Sequence, residues 1–323
     1  MTAVALEVLD GGLLSTIQDA GRPDWTHVGV PEGGAADRWS LAVANLLVGN
    51  APGAAALEMT LVGPTVRATR AMTIGLAGAD LGARLRGGRS LTPGHGHRLA
   101  AGDIVEIPGG HLMGARGYLA IPGGFEVAPV LGSRSTCLAG GFGGLDGRPL
   151  RAGDQLEGGA DLVRPALAWS ASPGPPDVDR VVRILAVRAA DVGPLAAPEW
   201  QVAAASDRVG VRLDGPALPA GFGGEVRTHG VPWGAVQVPP DGRPIVLGVD
   251  HQTTGGYRVV GVVIAADLPI LGQLGPGARV RLAETDPASA RAALRDRHAA
   301  MLAGAAALHD EAGWATLVDH AGS

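Results

Sequence analysis

Lysine is absent from this chain. All 26 basic residues among its 323 are arginine, and the lack excludes several kinds of chemistry. There is no P-loop lysine to cradle phosphates, no Schiff-base amine and no lysine on which to carry biotin. If ATP or biotin takes part, its usual lysine must stand on another polypeptide. GC-rich coding also depletes lysine, so the absence is not itself a functional sign. Cysteine is reduced to Cys137, which excludes an internal disulfide and a cysteine-based zinc site and fits a reducing compartment. A lone cysteine is more often a small buried hydrophobe than a nucleophile.

Long apolar runs are missing too. The stretch 41–57 is broken by Asn45, Gly49, Asn50 and Pro52, and 259–266 ends at Asp267, so neither reads as a membrane span. Glu7 and Asp10 near the start do not suit a signal peptide. A net charge of -5 and a pI near 6.0 argue against a nucleic-acid surface, because phosphate binding needs a basic face. These absences lead us to expect a cytoplasmic protein with neither nucleic acid nor membrane as partner.

What is plentiful is glycine (52) and proline (24), while aromatics make up only 3%. The glycines are scattered among short Val, Leu and Ile runs, which calls for many turns between short strands. The length favours two domains. The Pro/Gly-rich stretch Ser172–Asp177 is the natural linker, giving domains at 1–171 and 178–285 and a helical extension with a loose tail at 286–323.

Strands are expected at 4–9, 57–61, 73–77, 83–86, 104–107, 181–187, 235–238, 245–249 and 259–264, the last central because it has no polar side chain. Gly102-Asp103 and Gly153-Asp154 recur as strand starts, with Gly277 as a looser echo. Asp37 is placed to cap a helix whose apolar stripe is Leu41, Ala44, Leu47 and Val48; Gly49-Asn50 then supplies the left-handed stop before Pro52. Asn45 falls on the buried face of that helix and needs a partner. Alternation along 57–61 puts Glu58 and Thr60 on the face away from the core.

Several polar clusters invite a ligand. Gln18, Asp19 and Arg22 crowd five positions of a glycine-flanked loop. Arg22 can clamp a carboxylate or phosphate, or pair with Asp19 to pin the loop, which is the simpler reading. Ser133, Arg134, Ser135 and Thr136 offer hydroxyls and a guanidinium suited to an anion, with no adjacent histidine to make a serine nucleophile. His95 and His97 lack a third ligand for a metal and read as surface-loop residues. The stretch 234–257 stands out most. A strand bearing Gln237, a Pro239–Gly242 reversal and a second strand lead to Asp250, His251, Gln252, Thr253 and Thr254, after which two glycines let the backbone approach closely and Tyr257 closes the turn. That pattern suits a small polar ligand or a self-satisfied hairpin end.

Taken together, the segments Thr16–Arg22, Gly29–Asp37, Ala44-Asn45 with Gly49-Asn50, Leu57-Glu58, Gly132–Thr136, Asp207–Gly210, Gln237–Pro239 and Asp250–Tyr257 resemble the allophanate hydrolase subunit 2 family, also called KipA-type or biotin-dependent carboxyltransferase. The resemblance runs in order along nearly the whole chain. It implies a mainly β fold of two cyclophilin-like β-barrels with a few short helices. It also implies an enzyme subunit, with members that form part of ATP-dependent 5-oxoprolinase as the nearest functional analogue. Such members act with a KipI-type subunit and a LamB/YcsF-type subunit, and ATP is used by the complex. Related members carry carboxylate from biotin, held on another chain, to urea, and some regulate a KipI-type kinase inhibitor. Thr228-His229 and Arg258 depart from the family pattern, where Ser-Glu and proline are usual.

For an amide substrate activated by phosphate or carboxylate, the matching positions suggest Asp250 and Asp37 as proton-moving carboxylates. Gln18, Arg22, Asn45, Glu58, Arg134, Ser135, Thr136, Gln237, Gln252, Thr253, Thr254 and Tyr257 would bind substrate.

Overall fold

The computed structural model describes residues 3–110, 114–159, 163–169, 180–219 and 221–312. Its strands in the first half are β1 (Ala3–Asp10), β2 (Leu14–Gln18), β3 (Ala56–Thr60), β4 (Thr65–Ala68), β5 (Met72–Gly78), β6 (Arg84–Leu85), β7 (His95–Leu99), β8 (Ile104–Glu106), β9 (Arg116–Ala120) and β10 (Gln155–Gly158). The second half holds β11 (Val181–Ala186), β12 (Trp200–Val202), β13 (Gly210–Asp214), β14 (Glu225–Gly230), β15 (Ala235–Val238), β16 (Ile245–Leu247), β17 (Thr254–Val263) and β18 (Arg279–Glu284). Four α-helices join them: α1 (Arg38–Leu46), α2 (Val192–Ala196), α3 (Leu268–Gly272) and α4 (Pro287–Ala312).

The first half forms two five-stranded sheets, ordered β10-β1-β4-β8-β6 and β2-β3-β9-β5-β7. Leu6, Val8, Val66 and Val105 of one sheet meet Leu57, Met59, Ile74 and Leu119 of the other in a common core, as alternating strands require. In the second half, β11-β18-β12-β13-β16-β15-β17 runs round until β17 pairs antiparallel with β11, Val263 opposite Ile184. Seven strands therefore close into a barrel, and closure removes the free edges that an open sheet would expose. β14 attaches outside the closed set, along β17. Trp200 fills the barrel, fully buried, with its indole N–H donating to the Leu195 carbonyl at 2.9 Å.

The repeated strand starts share one turn chemistry. Gly102 and Gly153 take φ of +89° and +91°, and Asp103 and Asp154 each accept a backbone N–H three residues before them. Helix α1 begins as expected: Asp37 accepts from the Ser40 N–H at 3.0 Å. At its other end Asn45 donates to the Ala54 carbonyl and accepts from Asn50, while Gly49 turns left-handed at φ +75°. The helix lies close on β5, because a Cβ on Gly75 would sit 2.3 Å from the Ala44 carbonyl oxygen.

Several local expectations change. Residues 14–18 are strand β2 rather than loop. His95 and His97 lie on β7, and His97 is buried with its Nε2 on the Thr92 carbonyl. β3 is buried on both faces, since α1 covers the side that alternation assigns to solvent. The expected turn at 254–257 is the start of β17, so Tyr257 sits within a strand opposite Glu225. The helical extension packs back on the first half: Arg297 lies over the Trp39 ring, and Leu308 joins Leu41 and Leu47 in one cluster. The linker at 172–177 and the tail at 313–323 fall outside the described residues. No helix among those described is long and apolar enough to cross a membrane.

Gly75→Ala is expected to cost about 1–3 kcal/mol, because backbone rather than a flexible side chain must move to admit the methyl group. Urea unfolding measures it; unchanged stability would mean that α1 is not seated where described.

Candidate functional site

Four loops meet where the two halves touch: 19–36, 126–136, 140–148 and 248–253. The centre is Arg208, buried just before β13. Its Nε donates to Asp250 Oδ2 at 2.7 Å and its Nη2 to Asp250 Oδ1 at 3.0 Å, a bidentate fork. The same Nη2 reaches the Gly34 carbonyl at 2.7 Å, and Nη1 donates to Glu58 Oε1 of β3. Arg116 of β9 places its Nε 3.5 Å from that Glu58 oxygen. Two guanidiniums therefore balance two carboxylates in a site closed to water, the condition for a buried ion cluster to be tolerated.

The other Glu58 oxygen accepts from the Ala36 N–H at 2.8 Å and the Tyr118 hydroxyl at 2.7 Å. Tyr118 in turn accepts from the Asp37 N–H at 2.9 Å. Asp37 accepts from Ser40 and, at 2.7 Å, from Gln273 Nε2 just after α3. Gln273 then behaves like an extra peptide group, its amide bonding the backbone of Ala115 and Arg116. A gap of about 20 Å3 beside Arg208, Arg116, Trp233 and Gly272 is large enough for a single water.

Burial resists charge on Glu58, but Arg208, Arg116, the Tyr118 hydroxyl and the Ala36 N–H outweigh it and hold its pKa below the ordinary value. Burial likewise opposes the Arg208 charge, yet Asp250 and Glu58 raise its pKa further. Tyr118 is pushed well up by burial and then by Glu58 and Asp37, so it stays a donor. Asp37 is raised by burial despite the bonds from Gln273 and Ser40.

A second cluster adjoins the first through Arg22. Its Nη2 donates to the Ser135 carbonyl at 2.5 Å and its Nε, at 3.4 Å, to that of Val130. Its Nη1 is buried with no protein partner. A Cβ on Gly33 would lie 3.0 Å from that Nη1 and 3.7 Å from Asp250 Oδ1, so this glycine fills the narrow space between the two side chains. Burial lowers the Arg22 pKa, opposed by Cys137, Asp19 and Asp250. The expected Asp19–Arg22 pair gives way to a different arrangement: Asp19 accepts from Ser133 Oγ, Ser135 Oγ and the Arg134 N–H at 2.5–2.6 Å. The loop is pinned, but by the hydroxyls that read as an anion site.

The remaining candidates divide. Gln18 and Thr136 are buried beside this cluster, Gln18 Nε2 on the Thr136 carbonyl and Thr136 Oγ1 on that of Ile17. Arg134 is half-exposed and turns to Val127 and Glu126. Asn45 lies at the far end of α1, away from the loops. Gln237 is buried under Gly255, its Nε2 without a partner and 2.4 Å from where a Cβ on Gly255 would stand. Gln252 and Thr254 are exposed at the rim, Thr253 is half-buried, and Tyr257 is exposed on the barrel.

Sequence reasoning missed Arg208 as a centre, although Asp207–Gly210 was among the matching segments. It also missed Tyr118, Arg116 and Gln273, which no local pattern marks. His251 was noted only as part of a polar row. It is buried, and its Nδ1 donates to the Gln252 carbonyl at 2.6 Å, leaving Nε2 as an acceptor. Burial keeps its pKa below the usual imidazole value.

The family description "Carboxyltransferase domain, subdomain A and B" matches residues 28–284. The chain belongs to that family. It is 36% identical to the C subunit of 5-oxoprolinase from Escherichia coli K12, over 90% of this chain and 95% of that protein. Identity to the Haemophilus influenzae protein of the same name is 33%, covering 85% and 90%. A urea amidolyase of Lachancea kluyveri is 31% identical over 84% of this chain but only 16% of its own length. Among solved structures, TTHA0988 superimposes with a TM-score of 0.79 at 37% identity, over 86% of this chain. The chain spans just over half, 55%, of that protein. Kluyveromyces lactis urea carboxylase gives 0.81 at 27%, with 93% of this chain and 29% of that one covered. The mainly β fold is the one that the resemblance implied.

Removing one member of a buried ion cluster leaves the rest uncompensated, so Glu58→Gln is expected to lose about 3–5 kcal/mol at neutral pH. The pH dependence carries the sign. Because the folded-state pKa of Glu58 is lowered, its contribution is present above its ordinary 4.5 and fades as pH falls through the folded value. The variant should therefore show a flatter acid limb in urea unfolding against pH. Parallel limbs in the two proteins would show that Glu58 gains no stabilisation from its charge.

Proposed function

We propose that this chain is the C subunit of an ATP-dependent 5-oxoprolinase, hydrolysing 5-oxo-L-proline to L-glutamate in the cytosol. It would act with a KipI-type and a LamB/YcsF-type subunit, and ATP would be used by the complex. The observation that carries the reading is the end-to-end match to the corresponding Escherichia coli 5-oxoprolinase polypeptide, which covers 95% of that protein. In the urea amidolyases the matching stretch is a small part of a much longer chain.

The loop convergence supports an amide site. Arg22 Nη1, a buried donor with no partner, suits the oxygen of an activated amide or acyl group. Asp250 stands across Gly33 from it as the acceptor for a proton. Gln252, Thr253 and Thr254 supply amide-matching hydrogen bonds at the rim. Asp37, already bonded by Ser40 and Gln273, serves better as support for Tyr118 and Glu58 than as a group that moves protons. Glu58 likewise holds Arg208 rather than substrate.

The family description and the likeness to urea carboxylase favour a second reading, a carboxyltransferase component acting on urea or allophanate. Biotin would then arrive on another chain, since no lysine here can hold it.

The test is turnover by the chain co-purified with its two partner subunits. 5-Oxoproline is expected to stimulate ATP hydrolysis with matching glutamate release. Asp250→Asn should lower turnover by about 10^2–10^4-fold, and Gln252→Ala should mainly raise KM. Full turnover in Asp250→Asn would remove that residue from the mechanism. Activity only with a biotin carrier would favour the carboxyltransferase, and a stable complex with no turnover would leave a regulator of a KipI-type partner.

A further inference from the structure

A groove of about 530 Å3 opens on the outside of the barrel, between β14, β17 and the segment after β11. Its size suits a ligand of nucleotide dimensions. The strand pairing makes it. Glu225 lies opposite Tyr257 and His229 opposite Gly255, so four steps along β14 match two along β17. Two extra residues bulge out, and Val226 and Arg227 line the groove as a result.

Three arginines line it, and their situations differ. Arg258 is paired with Asp191 at 2.7 Å, donates to the Phe222 carbonyl and lies over the Phe222 ring. Arg188 and Arg227 are exposed, and no carboxylate pairs with either among the described residues. With the Arg258–Asp191 pair neutral as a whole, two uncompensated guanidiniums face the space, the charge needed to hold a dianion in bidentate bonds. Val187, Val226 and Val259 form an apolar wall suited to a flat ring. Asp191 adds a third feature: its Oδ2 is buried with no partner, an open acceptor for a ligand amine or hydroxyl.

We infer that this groove binds a nucleoside phosphate, its phosphates on Arg188 and Arg227, its base along the valines and a donor group on Asp191. The observations are those of the groove alone; the inference extends the oxoprolinase reading, in which ATP is used by the complex, by placing a nucleotide on this chain.

Calorimetric titration of the full chain, without partner subunits, tests it. ADP is expected to bind saturably at one site, more weakly as salt rises. Adenosine and pyrophosphate should each bind at least tenfold more weakly than ADP, since each lacks part of the match. Arg188→Ala combined with Arg227→Ala should weaken ADP at least tenfold and leave the thermal melt unchanged, both side chains being exposed. Arg279→Ala, on the exposed side of β18 and paired with Glu199, should bind as the parent does. Absence of saturable ADP binding to millimolar concentration, or ADP binding unchanged in the double variant, would overturn the inference. Pyrophosphate binding as tightly as ADP would reduce the groove to an anion patch and overturn it equally. Loss of turnover in the reconstituted complex with ADP binding intact would bear on the oxoprolinase reading alone.

Discussion

A guanidinium taken out of water must be met by acceptors on every side, and Arg208 meets that demand with groups from both halves of the molecule. Asp250 and its own backbone belong to the barrel; Glu58 and the Gly34 carbonyl belong to the two-sheet half. Neither half can satisfy the charge alone. An uncompensated charge of this kind costs several kcal/mol after relaxation, which is enough to set how the two halves lie against each other. Gln273 repeats the principle without charge, carrying three hydrogen bonds from the barrel half to the Ala115–Arg116 backbone.

The loops that form the candidate site inherit their positions from that cluster. Glu58 fixes the Ala36 N–H, Arg208 fixes the Gly34 carbonyl, and Gly33 is thereby held between Arg22 and Asp250. The buried floor is thus already bonded, while the side chains placed to meet a ligand are few: Arg22 through one nitrogen, Asp250 across Gly33 from it, His251 through Nε2, and the rim residues Gln252, Thr253 and Thr254. Preorganised donors of this sort act without reorganisation when charge develops on a substrate.

Much of the fold was legible in the sequence because it is written locally. The Gly-Asp strand starts, the Asp37 cap, the Gly49 stop and the β-branched runs each act within a few residues. What was not legible depends on partners far along the chain. Alternation put Glu58 on the opposite face from Leu57 and Met59, but nothing local shows that this face is covered by α1 and that Glu58 meets Arg208 there. Asp19 and Arg22 are near neighbours of opposite charge, yet residues more than a hundred positions away offer each better geometry. The polar row after Asp250 looked like a turn because nothing local shows that Thr254–Tyr257 pair with β14.

Hydrogen exchange followed by mass spectrometry on Glu58→Gln at neutral pH tests the central claim most directly, since exchange reports local opening in each half separately. If the buried cluster joins the halves, protection should fall both along residues 56–60 and across the seam in 208–213 and 247–250. Loss confined to the neighbourhood of residue 58, with the barrel strands exchanging as in the parent, would contradict the account.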